Sequence, residues 1–160
     1  MRGRCLWVDG MLLTCGCSAP ASTESDGQTI AALFATDADR EALMSARSFK
    51  CTFPLYASTE WKRDRPTVKT DDQDFGFQID GIDHSLRTAR IIGNAGADDL
   101  EVAPGTDTVS FVERVPAGAV NLTTVYAWRD SQGGFKAVHS RHTAIGGPSP
   151  SQQYGRCELW

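Results

Sequence analysis

The sequences FKCTF at positions 49–53 and FGFQID at positions 75–80 place an apolar residue at every second position. Because successive side chains of a β-strand point to opposite faces, each run predicts a strand with one apolar face. The same period continues along the chain in runs that Gly, Pro, Asp or Asn residues separate. Further strands are expected at 87–92, 99–103, 107–114, 119–128 and 135–144, with a weaker one at 67–70.

The joints between these runs are short and rich in turn residues, which favours antiparallel neighbours. Seven or eight such strands predict a mainly β fold, either an up-and-down barrel or a two-sheet sandwich. One short N-terminal helix is expected near 37–47, because Thr36 and Asp39 give a capping pattern before an apolar residue series at helical spacing. Phe34 is expected to act as the hydrophobic staple of this helix.

The composition restricts the class of protein. The chain has 160 residues, 41% of them hydrophobic and 22% charged, with a net charge of −4. This is enough for one domain with a real core. There is no basic excess to neutralise a phosphate backbone, so binding to nucleic acid is disfavoured. The folded region has no glycine-rich phosphate loop and no C-x-x-C pair, and no cofactor is predicted.

The first twenty residues have the outline of an export signal. A basic start, MRGR, is followed by a short apolar stretch and by LLTCGCSAP at 12–20. This pattern resembles the lipobox of bacterial lipoproteins, where a small residue precedes the cysteine that receives the lipid. The resemblance implies a signal segment at 1–17 and a lipid on Cys17 that attaches the protein to a membrane. Cys15 is the alternative lipidation site, and a plain secretory signal ending near Ala19 or Ala21 is another reading.

The resemblance also implies a location. Ser18, directly after the lipidated cysteine, favours the outer membrane of a bacterial envelope over the inner one, with the protein facing the periplasm. Residues 18–33 begin with the small and polar residues of a flexible tether. Residues 34–160 are then the single mainly β domain.

Cysteine usage follows from this leader. Cys5 and Cys15 leave with the signal and Cys17 carries the lipid, so only Cys51 and Cys157 remain. We therefore expect a disulfide between them that fastens the C-terminal segment to the start of the sheet. Such a bond requires an oxidising compartment.

A small antiparallel barrel with one helix and a disulfide at its tail is similar to the calycin architecture of lipocalins. The likeness is architectural, because the Gly-x-Trp signature of lipocalins is absent around Trp61. It implies a small apolar ligand, while an adhesion or assembly role with an envelope protein is the alternative. The expected function is a lipid-anchored extracytoplasmic binding or envelope-interaction module.

Aromatic and basic residues of two adjacent strands suggest where a ligand would bind. If the strand pair 119–144 faces a barrel interior, its side chains would form a partly polar aromatic pocket for an anionic or aromatic ligand. The residues of this pocket are Tyr126, Trp128, His139 and Arg141. Core packing, with Arg141 paired to an acid such as Glu113, is the alternative interpretation.

Two further groups could support hydrolysis. Ser140 and His142 share one face of a strand, as a nucleophile and its base would, although the exposed turn of a nucleophile elbow is missing. Asp80 and Asp83 could form a carboxylate pair, or with Asp71–Asp74 a calcium site, but aspartates at strand ends are typical of turns. His139 and His142 point to opposite faces of a strand, so no metal site is predicted.

Overall fold

The computed structural model describes residues 35–116, 118–144 and 146–160. One helix and eight antiparallel strands are found there, and the strands close into a barrel. The elements are α1 (Asp37–Ser45), β1 (Phe49–Lys62), β2 (Arg65–Asp83), β3 (Thr88–Gly93), β4 (Gly96–Pro104), β5 (Thr108–Arg114), β6 (Val120–Arg129), β7 (Phe135–Thr143) and β8 (Ser149–Leu159). Each strand pairs with the next, and β8 pairs with β1. The predicted mainly β fold is confirmed, as an up-and-down barrel rather than a sandwich.

The apolar face of each strand points into the barrel. Phe49 and Phe53 on β1 and Phe77 and Ile79 on β2 are almost completely buried, as their alternation predicted. Phe111 and Phe135 join them, and Phe49 packs edge-on against both rings. An eight-stranded barrel is just wide enough for side chains to fill, and these phenylalanines are part of that packed interior.

The helix begins where the capping pattern places it. Thr36 Oγ1 accepts a hydrogen bond from the Asp39 backbone N–H at 3.1 Å and donates one to Asp39 Oδ2 at 2.7 Å. These bonds satisfy groups that a helix N-terminus leaves free. The helix ends at Ser45, two residues before the predicted limit. The expected staple residue, Phe34, lies outside the described residues.

Helix α1 packs across one end of the barrel, which we call the closed end. Leu43 is completely buried in the core. Arg40 forms an ion pair with Asp107, in the β4–β5 turn, and Arg129 Nε lies 2.5 Å from Asp39 Oδ1. These contacts fix the helix against the sheet. In the described part of the chain no helix is long and apolar enough to cross a membrane.

A disulfide joins the first and last strands. Cys51 and Cys157 are direct cross-strand partners of β1 and β8, with their sulfur atoms 1.99 Å apart. The predicted pairing is therefore present. The segment beyond residue 148 is not an appended tail, however, because β8 forms hydrogen-bonded ladders with both β1 and β7. The bridge thus lies at the seam where the barrel closes.

The β1–β2 hairpin is longer than the sequence indicates. The weak strand expected at 67–70 and the strong one at 75–80 belong to the single 19-residue strand β2. Strand β3 pairs with only the last part of β2, because their ladder starts at Gln78 and Ile92. The two strands therefore separate toward the end opposite α1, which we call the open end. A gap in the wall is left between β2 and the β3–β4 turn.

Candidate functional site

A cavity of about 340 Å³ lies at the open end, where β2 and β3 separate. The rings of Phe75 and Phe77 form one side of it and His139 lines it from across the barrel. The rest of the polar lining includes Asp74, Asp98, Glu113, Asn121 and Arg141. Its volume falls within the ordinary range of small-molecule sites, roughly 300–1,000 Å³.

Three neighbouring strands supply the polar wall of the cavity. Asn121 on β6 is the cross-strand partner of Glu113 on β5 and of Arg141 on β7, so the three side chains stand in a row on the inner face. Asn121 Nδ2 donates a hydrogen bond of 2.6 Å to Glu113 Oε2. This bond fixes the orientation of both side chains.

The amide oxygen of Asn121 has no hydrogen-bond partner in the described residues, although the side chain is only 8% exposed. Leaving a buried acceptor unsatisfied costs roughly 1–3 kcal/mol. Arg141 is solvent-exposed, and none of the ion pairs within the described residues includes its guanidinium group. The pairing of Arg141 with Glu113 that the sequence suggested is therefore not formed. The Arg141 guanidinium group and the Glu113 carboxylate can therefore both contact a ligand.

His139 lies deeper, between the polar wall and the aromatic core. It is 3% exposed, and its Nδ1 lies 2.9 Å from the hydroxyl oxygen of Thr123. Its ring packs against Phe53, Phe75 and Phe77 with centroid distances of 5.9, 5.6 and 5.1 Å. Burial, and to a lesser extent the charge of Arg141, lowers the pKa of His139 to about 4. The imidazole is therefore neutral at pH 7.

This burial makes stability depend on pH. The folded-state pKa of His139 is about 4, below the 6.5 of an unperturbed histidine, so the unfolded chain binds the extra proton between these values. We expect the contribution of neutral, buried His139 to the unfolding free energy to be complete above pH 6.5 and to be lost as the pH falls toward 4. Between these pH values His139 changes the unfolding free energy by at most about 1.4 kcal/mol per pH unit. Urea unfolding of the protein and of His139→Gln between pH 4 and 7.5 measures it. An equal slope in both proteins would contradict the assignment.

The structure divides the four residues of the predicted pocket between two sides of the wall. The register pairs Thr123 with His139, so odd-numbered residues of β6 and β7 face inward together. His139 and Arg141 line the cavity, whereas Tyr126 and Trp128 line a separate groove and Trp128 is half-buried against the core. The predicted pocket that combines all four residues is therefore not formed: two of them line the cavity and two line another groove. The physical reason is the register: the inward-facing residues of β6 next to the buried phenylalanines are small ones such as Val125 and Ala127, both completely buried.

Tyr126 and Trp128 form part of a separate outer groove of about 420 Å³. Its other walls are formed by residues of β7 and β8, namely Lys136, Ala137, Val138, Tyr154 and Gly155. The groove is shallow and mostly apolar, and none of its lining residues lines the cavity.

Ser140 and His142 also lie on the outer face. Ser140 is 9% exposed, and its Oγ accepts a long hydrogen bond of 3.4 Å from Gln152 Nε2. His142 is exposed, and within the described residues no hydrogen bond joins it to Ser140. The hydroxyl is therefore covered by its neighbours without a base to activate it.

The two aspartates near the end of β2 have separate roles. Asp80 lies 3.7 Å from Arg90 on the neighbouring strand. Asp83 Oδ1 accepts hydrogen bonds from the backbone N–H and hydroxyl of Ser85 and from the backbone N–H of Leu86. These bonds, that of the Ser85 hydroxyl first, lower the pKa of Asp83. A general acid needs the opposite, so this geometry is that of a turn cap.

Sequence reasoning missed Asn121, Asp98 and the role of Glu113 as a cavity residue. The alternation of Asn121 with Thr123, Val125 and Ala127 placed it on an inner face, but the larger residues on the other face of β6 were the stronger signal.

No protein-family model and no curated protein sequence matches this chain.

Proposed function

We propose that this protein is a binding module of a bacterial envelope whose small-molecule ligand enters the open end of the barrel. The observation that carries the proposal is the buried, unpartnered amide oxygen of Asn121 at the wall of the cavity. A ligand that donates a hydrogen bond there would remove the cost of leaving that oxygen unsatisfied.

The chemistry of the cavity supports a ligand with an apolar part and a polar part. Phe75 and Phe77 offer ring surface, and neutral His139 lies beside them. Glu113, Asn121 and Arg141 provide charged and hydrogen-bonding groups on the opposite wall. A few convergent polar groups beside aromatic surface are typical of sites that bind and orient small molecules.

The envelope part of the proposal rests on the leader and on the disulfide. Cys17 lies outside the described residues, and its lipidation with outer-membrane sorting is proposed from the lipobox-like sequence alone. The Cys51–Cys157 bridge agrees with export, because disulfides persist in oxidising compartments such as the periplasm. The intact mass of protein extracted from a bacterial envelope tests the anchor. An unmodified N-terminus or a retained leader would exclude it.

The hydrolase alternative has less support. Within the described residues Ser140 Oγ contacts Gln152, Asp83 caps a turn through Ser85, and Asp80 lies near Arg90, so these contacts offer no support for a nucleophile with its base or for a carboxylate pair. The binding function is therefore the one that the geometry favours.

Blocking the cavity tests the binding function. A Cβ added at Gly93 would meet no atom within 4 Å, and the residue lines the cavity, so Gly93→Trp should fill the opening without disturbing the fold. Ile92→Trp is the matched control, because Ile92 is one residue away on the opposite face of β3. In an NMR fragment screen we expect fragments to change the amide chemical shifts of cavity residues in the wild type and in Ile92→Trp. We expect no such changes in Gly93→Trp. Fragments that bind all three proteins equally would contradict the site.

A further inference from the structure

The charge of the cavity indicates which ligands it accepts. Three carboxylates, those of Asp74, Asp98 and Glu113, line it, and Arg141 is the single positively charged residue among its described lining residues. With His139 neutral, the lining has a net charge of −2, since three negative charges and one positive charge remain. An anionic ligand, which the sequence alone suggested, would be repelled by this field.

We propose that the ligand is a small organic cation bearing N–H donors, such as a primary ammonium or a guanidinium group, attached to an apolar body. This inference rests on the proposed binding function and specifies the chemistry of the same site.

Glu113 and Asn121 form the recognition element for the cation. The Asn121 amide nitrogen uses one of its two N–H groups on Glu113 Oε2, while the Asn121 oxygen and the other oxygen of Glu113 remain as acceptors. No ion pair within the described residues includes Glu113 or Asp98. Two adjacent acceptors, one of them charged, are complementary to an N–H donor with positive charge.

The acceptor on Asn121 distinguishes between kinds of cation. The unpartnered oxygen of Asn121 is already buried in the free protein, so solvent does not satisfy it there. A quaternary ammonium group carries the charge but no N–H, and it would leave that oxygen buried without a hydrogen bond. The site therefore favours protonated amines over quaternary ones.

The aromatic side of the cavity suits the rest of such a ligand. Phe75 and Phe77 line the cavity, and their ring centroids lie 5.7 Å apart. Phenylalanine faces attract both apolar groups and cations. Arg141 stands at the exposed end of the polar row, where it offsets part of the negative charge and leaves Glu113 free.

A metal ion is not the expected cation. Asp98 and Glu113 lie on β4 and β5 and Asp74 on β2, on different sides of the opening. Among residues 35–116, 118–144 and 146–160, no group of three or more His, Cys, Asp or Glu side chains could hold a metal ion.

Three probes of similar size test the inference by isothermal titration calorimetry. They are 2-phenylethylamine, which is a protonated primary amine, benzyltrimethylammonium, which has no N–H, and 3-phenylpropionate, which is an anion. We expect 2-phenylethylamine to bind at least about tenfold more tightly than either of the others. A charge-assisted hydrogen bond of ordinary strength corresponds to about a 10- to 100-fold change in affinity.

The variant Glu113→Gln should weaken binding of 2-phenylethylamine by about 10- to 100-fold while keeping an oxygen for the Asn121 amide group. Glu41→Gln, an exposed carboxylate on α1 at the closed end, is the matched control and should leave the affinity unchanged. Circular dichroism melting of both variants checks that they are folded.

Two results would overturn the inference. The first is equal or tighter binding of 3-phenylpropionate or benzyltrimethylammonium; the second is failure of 2-phenylethylamine to bind the wild type or to respond to Glu113→Gln. If 3-phenylpropionate binds and Gly93→Trp abolishes that binding, the proposed binding function stands and only the cation inference fails. If no fragment perturbs the cavity in the NMR screen, the binding function itself fails.

Discussion

The variant Cys157→Ser is expected to lose about 2–5 kcal/mol of unfolding free energy, because it removes a bridge between residues 106 positions apart in the chain. The bond constrains the unfolded chain and holds β1 against β8 where the barrel closes. Both cysteines are buried, so the remaining thiol also lacks its covalent partner inside the core. Urea denaturation of the oxidised wild type and of the variant measures the difference.

The double variant Cys51→Ser/Cys157→Ser provides the control for this prediction. If the effect comes from the bridge, removing the second cysteine should add little to the loss, since the bond is already absent. Reduced wild-type protein should unfold near the same urea concentration as the variants. Equal stability of oxidised and reduced wild type would show that the seam does not depend on the disulfide.

The variant Gly155→Val should destabilise the barrel by about 3 kcal/mol, the upper part of the usual range for overpacking. A Cβ added to this glycine would lie 1.9 Å from the carbonyl oxygen of Thr52 and 2.7 Å from the Cα of Phe53. Both are backbone atoms of β1, so the contact cannot be relieved by rotating a side chain. The strands at the seam would have to separate.

Gly93→Ala is the matched control for this second prediction. It also lies in a strand, but a Cβ added there meets no atom within 4 Å. Thermal unfolding should therefore give a melting temperature close to that of the wild type for Gly93→Ala and a much lower one for Gly155→Val. Similar melting temperatures for the two variants would show that β1 and β8 do not approach each other closely at Gly155.

The sequence predicted best the strands whose apolar residues alternate, and it underestimated the extent of β2 and missed β8. Phe49, Cys51 and Phe53 alternate with exposed neighbours, and they form part of β1 as expected. The first half of β2 is exposed on both faces, so it shows no period of two. Strand β8 begins directly after Pro148 and contains Pro150, two residues that signal a connection, although Pro150 pairs with His142 inside the ladder. Apolar alternation reports burial of one face, and hydrogen-bonded pairing can extend beyond it.

The site was only partly predictable, because it depends on register. The sequence placed His139 and Arg141 on one face of β7, and the structure brings them together in the cavity. It could not decide which face of β6 is on the same side, since a shift of one residue exchanges the two faces. Tyr126 and Trp128 were preferred for their size, while Asn121 faces the cavity. The face of β6 that points inward is the one whose smaller residues pack beside the buried phenylalanines of the interior.

The position of a bound probe tests the central claim most directly, that the open-end cavity is the ligand-binding site. Intermolecular nuclear Overhauser effects between 2-phenylethylamine and the protein would locate the bound ring. We predict contacts from the probe to Phe75, Phe77 and His139, which line the cavity. Contacts to Tyr126 and Trp128 instead would place the ligand in the outer groove and contradict the claim.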